Sequence, residues 1–326
     1  MPKVSVIVPV YNVAPYIERC ARSLFEQTLD DIELLFINDC TPDNSMDILQ
    51  RVLSDYPSRI AQTHIYNMPQ NGGQAIARSF GMKEASGDYV IHCDADDWAD
   101  TDLYNKMYQC AVQTNADIVV CDEIYEEKSE SILHIVDPLP VTCREVLKNW
   151  YSHTVGLFLH NKLVRRSLYV DNNIYPWAGL NMWEDNGLVA RMLYFGGTLS
   201  QIRDSYYHYN RANVNATTFG YGEKSVKQMI GIAQLLTDFF ESKPDATDFR
   251  KTKMAFQFLA RINLITDKFE NIKRYNNTFV GSETIVSELD ERAFSRKGRF
   301  RFRMVKWRLS YLFVLMFKLY NWIKRK

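Results

Sequence analysis

The first 125 residues alternate short apolar runs with amphipathic stretches, a rhythm that predicts parallel strands covered by helices. Residues 4–10, VSVIVPV, read as a strand buried on both faces, and residues 15–27 as the helix that follows it. The unit then repeats: strand 32–38 with helix 45–56, strand 61–66 with helix 72–85, strand 89–93 with helix 102–113, and strand 118–121. Asp43 or Asn44 is placed to cap the second helix, and Asp100 and Asp102 read as caps of the fourth. Residues 141–218 are mixed, with apolar pieces around 155–160 and a helix over 184–194, and read as an acceptor half. Residues 222–279 read as helical and polar outside, without a motif tied to chemistry.

An alternating sheet of this kind binds ligands beyond the carboxyl ends of its strands. Those ends hold Pro9, Tyr11 and Asn12, then Asn38 and Asp39, then Asp94, Ala95, Asp96 and Asp97. Each is also ordinary turn chemistry. Their coincidence on one edge is what points to a site.

Composition adds a core and a charge split. With 46% hydrophobic residues, 326 residues are enough for a sizeable core. The net charge is zero, yet 12 of the 39 Lys and Arg lie beyond Glu291, where no acidic residue occurs. The body is therefore acidic and the tail basic, so the tail is expected to seek an anionic partner. The six cysteines are widely spaced, without the close pairs of zinc or redox motifs. The chain enters its first strand at Val4 without a signal-peptide pattern, which predicts a reducing, cytoplasmic compartment and no disulfides.

The chemistry centres on Asp94-Ala95-Asp96, two carboxylates on a short turn after an apolar strand, where both can approach one hard cation such as Mn²⁺ or Mg²⁺. A cation held by few protein ligands keeps positions open for diphosphate oxygens. Four segments together resemble family 2 of the glycosyltransferases: VSVIVPVYN at 4–12, NDCTPDNS at 38–45, NGGQAIAR at 71–78 and DADD at 94–97. Cys40 and Pro42 depart from the commoner Gly and Thr of the second segment.

The resemblance implies an α/β GT-A fold: a Rossmann-like nucleotide-binding half plus an acceptor half, a mixed sheet with flanking helices, and a C-terminal helical extension. With the charge split and the helical pattern beyond residue 222, the chain is read as a catalytic domain over 1–218, a helical extension over 219–291 and a basic amphipathic tail over 292–326. It assigns Pro9, Tyr11 and Asp39 to the nucleotide base and ribose, Gly73 and Ala95 to donor binding, Arg78 to phosphate, Asp94 to the ribose edge and Asp96 to the metal. Trp183-Glu184-Asp185 resembles the family's later acidic motif, which makes Asp185 the general base beside Glu184, and Trp183 an acceptor platform. A single base attacking from the opposite face of the sugar implies inversion. The segment 206–211, YYHYNR, resembles the strand that closes the donor site, with His208 expected in the metal shell and Arg211 on phosphate. Asn161-Lys162-Leu163 also resembles a family segment near the acceptor, with no role assigned.

In the tail, residues 309–317 are too short an apolar run to span a bilayer, which takes about 20 residues. At a helical repeat, Phe302, Val305, Leu309, Leu312 and Met316 fall on one face, with Arg303, Lys306 and Lys318 mainly opposite. That pattern predicts an interfacial helix on the inner face of a cell membrane, or a helix packed on protein. The expected partners are a nucleotide-sugar donor of the UDP type, a surface-glycan or lipid-linked acceptor and an anionic membrane surface, with no nucleic acid. Nucleotidyl transfer and a turnover-free binding protein remain the competing readings, whereas a dehydrogenase lacks its Gly-x-Gly-x-x-Gly after Val10.

Overall fold

The computed structural model describes residues 1–152, 155–213, 222–265, 269–289 and 302–303. Strands β1 (Val4–Val10), β2 (Ile32–Asn38), β3 (Thr63–Asn67), β4 (Tyr89–His92) and β5 (Trp98–Ala99) are followed by β6 (Ile118–Glu126), β7 (Ser131–His134), β8 (Lys162–Arg165) and β9 (Leu199–Asn210). The helices are α1 (Ile17–Phe25), α2 (Ser45–Ser54), α3 (Gln74–Glu84), α4 (Leu103–Thr114), α5 (Cys143–Asn149), α6 (Arg166–Asp171), α7 (Glu184–Phe195), α8 (Glu223–Glu241), α9 (Arg250–Arg261) and α10 (Phe269–Asn277). Contacts divide the chain into two compact units, Met1–Val146 with Leu157–Ala216, and Leu147–Gly156 with Thr217–Lys326.

The first unit is built on a nine-stranded mixed sheet in the order β3-β2-β1-β4-β8-β6-β9-β5, with β7 beside β6. β1 lies parallel between β2 and β4, and six of its seven residues are buried, which is why its sequence is apolar rather than alternating. Pro9 is tolerated because it has the parity of Ile7, whose carbonyl accepts from the Cys93 N–H, and the β1–β4 register ends at Ile7 and His92. The N–H that proline lacks would have met no strand.

α1 buries Ile17, Cys20, Ala21, Leu24 and Phe25, a stripe at helical spacing, while Arg22 pairs with Glu18 on the outer face. α3 lies so close to the sheet that a Cβ at Gly81 would come within 2.5 Å of Ile7. From β4 onward the sheet turns mixed: β8 is antiparallel to both β4 and β6, and β9 is parallel to β6 with a register shift between Val120 and Asp122. Asp102 stands at the start of α4, but its carboxylate accepts from Ser205 and Lys106 rather than from a helix amide. Asp100 likewise accepts from the Tyr206 N–H instead of capping α4. β9, packed against this helix start, claims both carboxylates.

The second unit is helical, with Phe240 of α8 stacked on Phe256 of α9 at 6.5 Å and Trp150 also stacked on Phe256. No helix among the described residues is long and apolar enough to cross a membrane. The basic tail predicted over 292–326 lies outside the described residues apart from Phe302 and Arg303.

Candidate active site

β1 lies between β2 and β4, so their carboxyl ends share one edge of the sheet, and the turns after β1 and β2 are bonded to one another. The N–H groups of Asn12, Val13 and Ala14 donate to Thr41, Ser45 and Asp43, so the loop after β2 holds the loop after β1. Tyr11 leaves this pinned turn with its ring about half exposed. Asp39 is buried, and each of its carboxylate oxygens accepts one backbone N–H, from Gly72 and from Gly73, at 2.8 Å. Gly73 has φ 81°, and a Cβ there would lie 2.2 Å from the Asn181 amide, which accepts the Ala75 N–H. The start of α3 is thereby bound by two side chains of the protein, Asp39 and Asn181.

Arg78, buried on α3, ties the two acidic motifs together. Its guanidinium donates to Asp94 at 2.6 Å and to Glu184 at 2.5 Å. Burial works against the Arg78 charge, but Asp94, Glu184 and Asp185 outweigh it and hold its pKa above the ordinary value. Asp94, although burial penalises its charge, is held below the usual carboxylate range by Arg78. The donor-side Asp94 and Glu184 of the later acidic motif are thus both engaged with the arginine expected to meet phosphate.

α7 begins at Glu184, preceded by Trp183 in the left-handed region at φ 68°, an uncommon conformation for an aromatic residue. Burial raises the pKa of Glu184 and of Asp185, against the attraction of Arg78. Asp185 accepts from the backbone and side chain of Asn186 through one oxygen, and its other oxygen has no hydrogen-bond partner among the described residues. A carboxylate with one free oxygen and a raised pKa has what a general base needs.

The turn after β4 crowds three acids. Ala95 is buried between Asp94 and Asp96. Asp96 accepts from Asn213 at 2.7 Å through one oxygen and keeps the other clear of described side chains. Burial, then the neighbouring Asp94, raises its pKa. Asp97 is fixed by the Tyr207 hydroxyl and the Asn210 N–H, both at 2.7 Å. Burial and its two acidic neighbours push it well up. Asp94, Asp97 and His160 place one potential ligand atom each within 4.8 Å of one another. This excess of carboxylate over cationic charge, with a free oxygen on Asp96, fits a divalent cation.

His160 was not among the expected site residues. It is buried in the loop before β8, with Nε2 2.5 Å from Glu123 and its ring parallel to Tyr207 at 4.5 Å. The only sequence signal near it is the adjoining Asn161-Lys162-Leu163 segment; pairing with Glu123 requires the fold. His208, the expected metal ligand, is committed elsewhere: Nδ1 is 2.8 Å from Glu126, Nε2 is 3.1 Å from Asp100, and its ring stacks on Trp98 at 4.9 Å. Both nitrogens face carboxylates, and the histidine that the fold groups with the acidic turn among the described residues is His160. Arg211 pairs with Glu127 at 3.2 Å and lies over the Tyr125 ring at 5.1 Å, at the end of β6.

Comparison with known proteins agrees with this geometry. The model of the family described as Glycosyl transferase family 2 matches residues 5–171, the stretch that carries the donor-edge loops and the acidic turn. The uncharacterized glycosyltransferase EpsJ of Bacillus subtilis (strain 168) is 31% identical over 225 residues, 67% of this chain and 63% of EpsJ. The chain therefore spans somewhat less than two thirds of that relative. The fold resembles the crystal structure of S. aureus TarS 1-349 in complex with UDP-GlcNAc, with a TM-score of 0.68 at 18% identity, covering 98% of this chain and 91% of that one. It also resembles the mannosyltransferase PcManGT of Pyrobaculum calidifontis, solved with GDP-Man and Mn2+, with a TM-score of 0.54 at 16% identity over 100% of this chain and 88% of that one. The chain is a member of glycosyltransferase family 2 and has the GT-A fold.

Proposed function

We propose that the enzyme is metal-dependent and inverting, moving a sugar from a nucleotide diphosphate, of the UDP type, to a surface-polysaccharide or lipid-linked glycan acceptor. The observation that carries this reading is the bridge made by Arg78, which holds the donor-side Asp94 and the acid next to Asp185 on one buried guanidinium. Donor and base are thereby kept on a common frame, and alignment of reactants is worth several kcal/mol of barrier.

In this reading Tyr11 and Pro9 border the nucleobase, Asp39 uses its remaining lone pairs for the base or ribose, and Gly73 lets the loop approach the donor. Asp94 lies at the ribose edge. Asp96 would hold Mn²⁺ or Mg²⁺ through its free oxygen, next in the chain to Asp97, which with Asp94 and His160 forms a group whose ligand atoms lie within 4.8 Å of one another. When bound, the cation offsets charge on the departing nucleoside diphosphate. Asp185 takes the proton from the acceptor hydroxyl through its unbonded oxygen, and Trp183 offers a face for the acceptor sugar. The domain boundaries near 218 and 291, and the tail as an anchor to an anionic membrane on the cytoplasmic side, belong to the same proposal.

The test is release of nucleoside diphosphate from UDP-, GDP- and dTDP-sugars with Mn²⁺ or with EDTA, for wild type, Asp96→Ala and Asp185→Asn. The reading expects metal-dependent release from one donor, lost in both variants. Equal release in EDTA would remove the metal, and full activity of Asp185→Asn would remove the base.

A further inference from the structure

One face of the sheet carries a row of rings that leads away from the acids. Tyr207 and Tyr209 on β9 lie opposite Glu123 and Tyr125 on β6, which lie opposite His134 and Ile132 on β7. Alternation along a strand puts all of these side chains on the same face. Tyr207 starts the row inside the site, donating to Asp97. Tyr125 stacks on His134 at 4.9 Å and meets Tyr209 edge-on at 5.9 Å. His160 lies parallel to Tyr209 at 5.5 Å, and Phe158 lies parallel to His160 at 5.3 Å, tilted by 10°.

Phe158 is the anomaly in this row. Its ring is 37% exposed, yet its backbone is held firmly. The buried Lys162 ammonium donates to the Phe158 carbonyl at 2.9 Å and to the Asn161 side chain at 2.7 Å. Burial pushes the Lys162 pKa down to about 8, a cost the fold bears while this lysine holds the loop in place. Phe158 thus presents one exposed aromatic face on a loop whose next ring, His160, stacks on Tyr207 of the site.

We propose that Phe158, backed by His160 and Tyr209, is the platform for a pyranose ring of the acceptor, so that the acceptor is itself a glycosylated chain at its reacting end. The proposal rests on the transferase reading given above. An aromatic face carries the negative lobe of the ring quadrupole, and the C–H groups on one face of a hexose carry small positive charges. Nearby acids complete the arrangement, because His160 lies within electrostatic reach of both Asp96 and Asp185.

The experiment is saturation-transfer NMR on the full chain with UDP and Mn²⁺, using methyl α- and β-hexosides of glucose, galactose and N-acetylglucosamine as probes. These carry no aromatic group of their own. At least one probe is expected to receive saturation on the C–H groups of one ring face. Phe158→Ala should weaken that binding about five- to ten-fold, whereas Phe158→Trp keeps it within about two-fold. A melting temperature and a calorimetric UDP affinity for each variant separate loss of the platform from loss of the fold or of the donor site. Absence of saturation for every probe, or equal affinity of wild type and Phe158→Ala, overturns the proposal. Because the readout is binding, a hexoside that depends on Phe158 supports the platform even if no donor is turned over.

Discussion

Arg78 in the middle of α3 and Glu184 in the first turn of α7 are 106 residues apart in the chain and 2.5 Å apart in space. Their contact, shared with Asp94, makes the donor motif and the base motif one mechanical unit.

Replacing Arg78 by Ala leaves Asp94 and Glu184 crowded without their cation. Breaking a buried pair in this way costs about 3–5 kcal/mol. Chemical denaturation should show that loss, and transfer activity should fall with it. Arg78→Lys is expected to recover only part, since an ammonium is a point charge and the guanidinium spans two carboxylates. A stability within 1 kcal/mol of wild type for Arg78→Ala, the margin of a surface pair, would show that the bridge is not structural.

Asp185→Asn should lower the transfer rate by roughly 10² to 10⁴ while leaving the protein folded. Burial raises the Asp185 pKa, and a base works only when deprotonated. Activity is therefore expected to fall as pH drops, through a limb lying above the ordinary aspartate range near 3.9. A pH profile of kcat/KM for the acceptor measures it, and a limb at or below the ordinary value would contradict the assignment.

Gly73→Ala puts a Cβ onto Asn181 in a left-handed backbone. At φ 81° and ψ 168°, a region that is essentially glycine's alone, a backbone cost of about 1–3 kcal/mol is expected, with the clash added to it. The loop amides that hold Asp39 would shift, so UDP affinity measured by calorimetry should drop. Asn181→Ala in the same chain removes the clash but not the φ requirement, and should restore affinity only in part.

Chelation should abolish activity and Mn²⁺ should restore it. Asp96→Ala should lose Mn²⁺ binding in the presence of UDP, as read by the electron paramagnetic resonance of free and bound ion. His208→Gln should keep it, because both nitrogens of His208 are already directed at Glu126 and Asp100. Loss of Mn²⁺ binding in His208→Gln would return that residue to the metal shell.

Much of the donor edge was legible in the chain itself. Buried parallel strands need near-continuous apolar runs, so β1, β2 and β4 announce themselves, and the turn residues after each of them mark the ligand edge before any coordinate is known. Local rules also place helix starts such as Ser45 and Glu184 within a residue. Tertiary structure decided what each polar side chain does there. Asp100 and Asp102 look like caps but are claimed by β9. Arg78, which the resemblance directs to phosphate, bridges two acids that no local pattern pairs with it. Among the histidines, His208 is taken up by carboxylates on neighbouring strands, while His160 enters through its pairing with Glu123. Strand and helix formation depends on neighbours a few residues away, whereas the partner of a buried charge is set by which distant elements the sheet order brings together, and no local pattern encodes that.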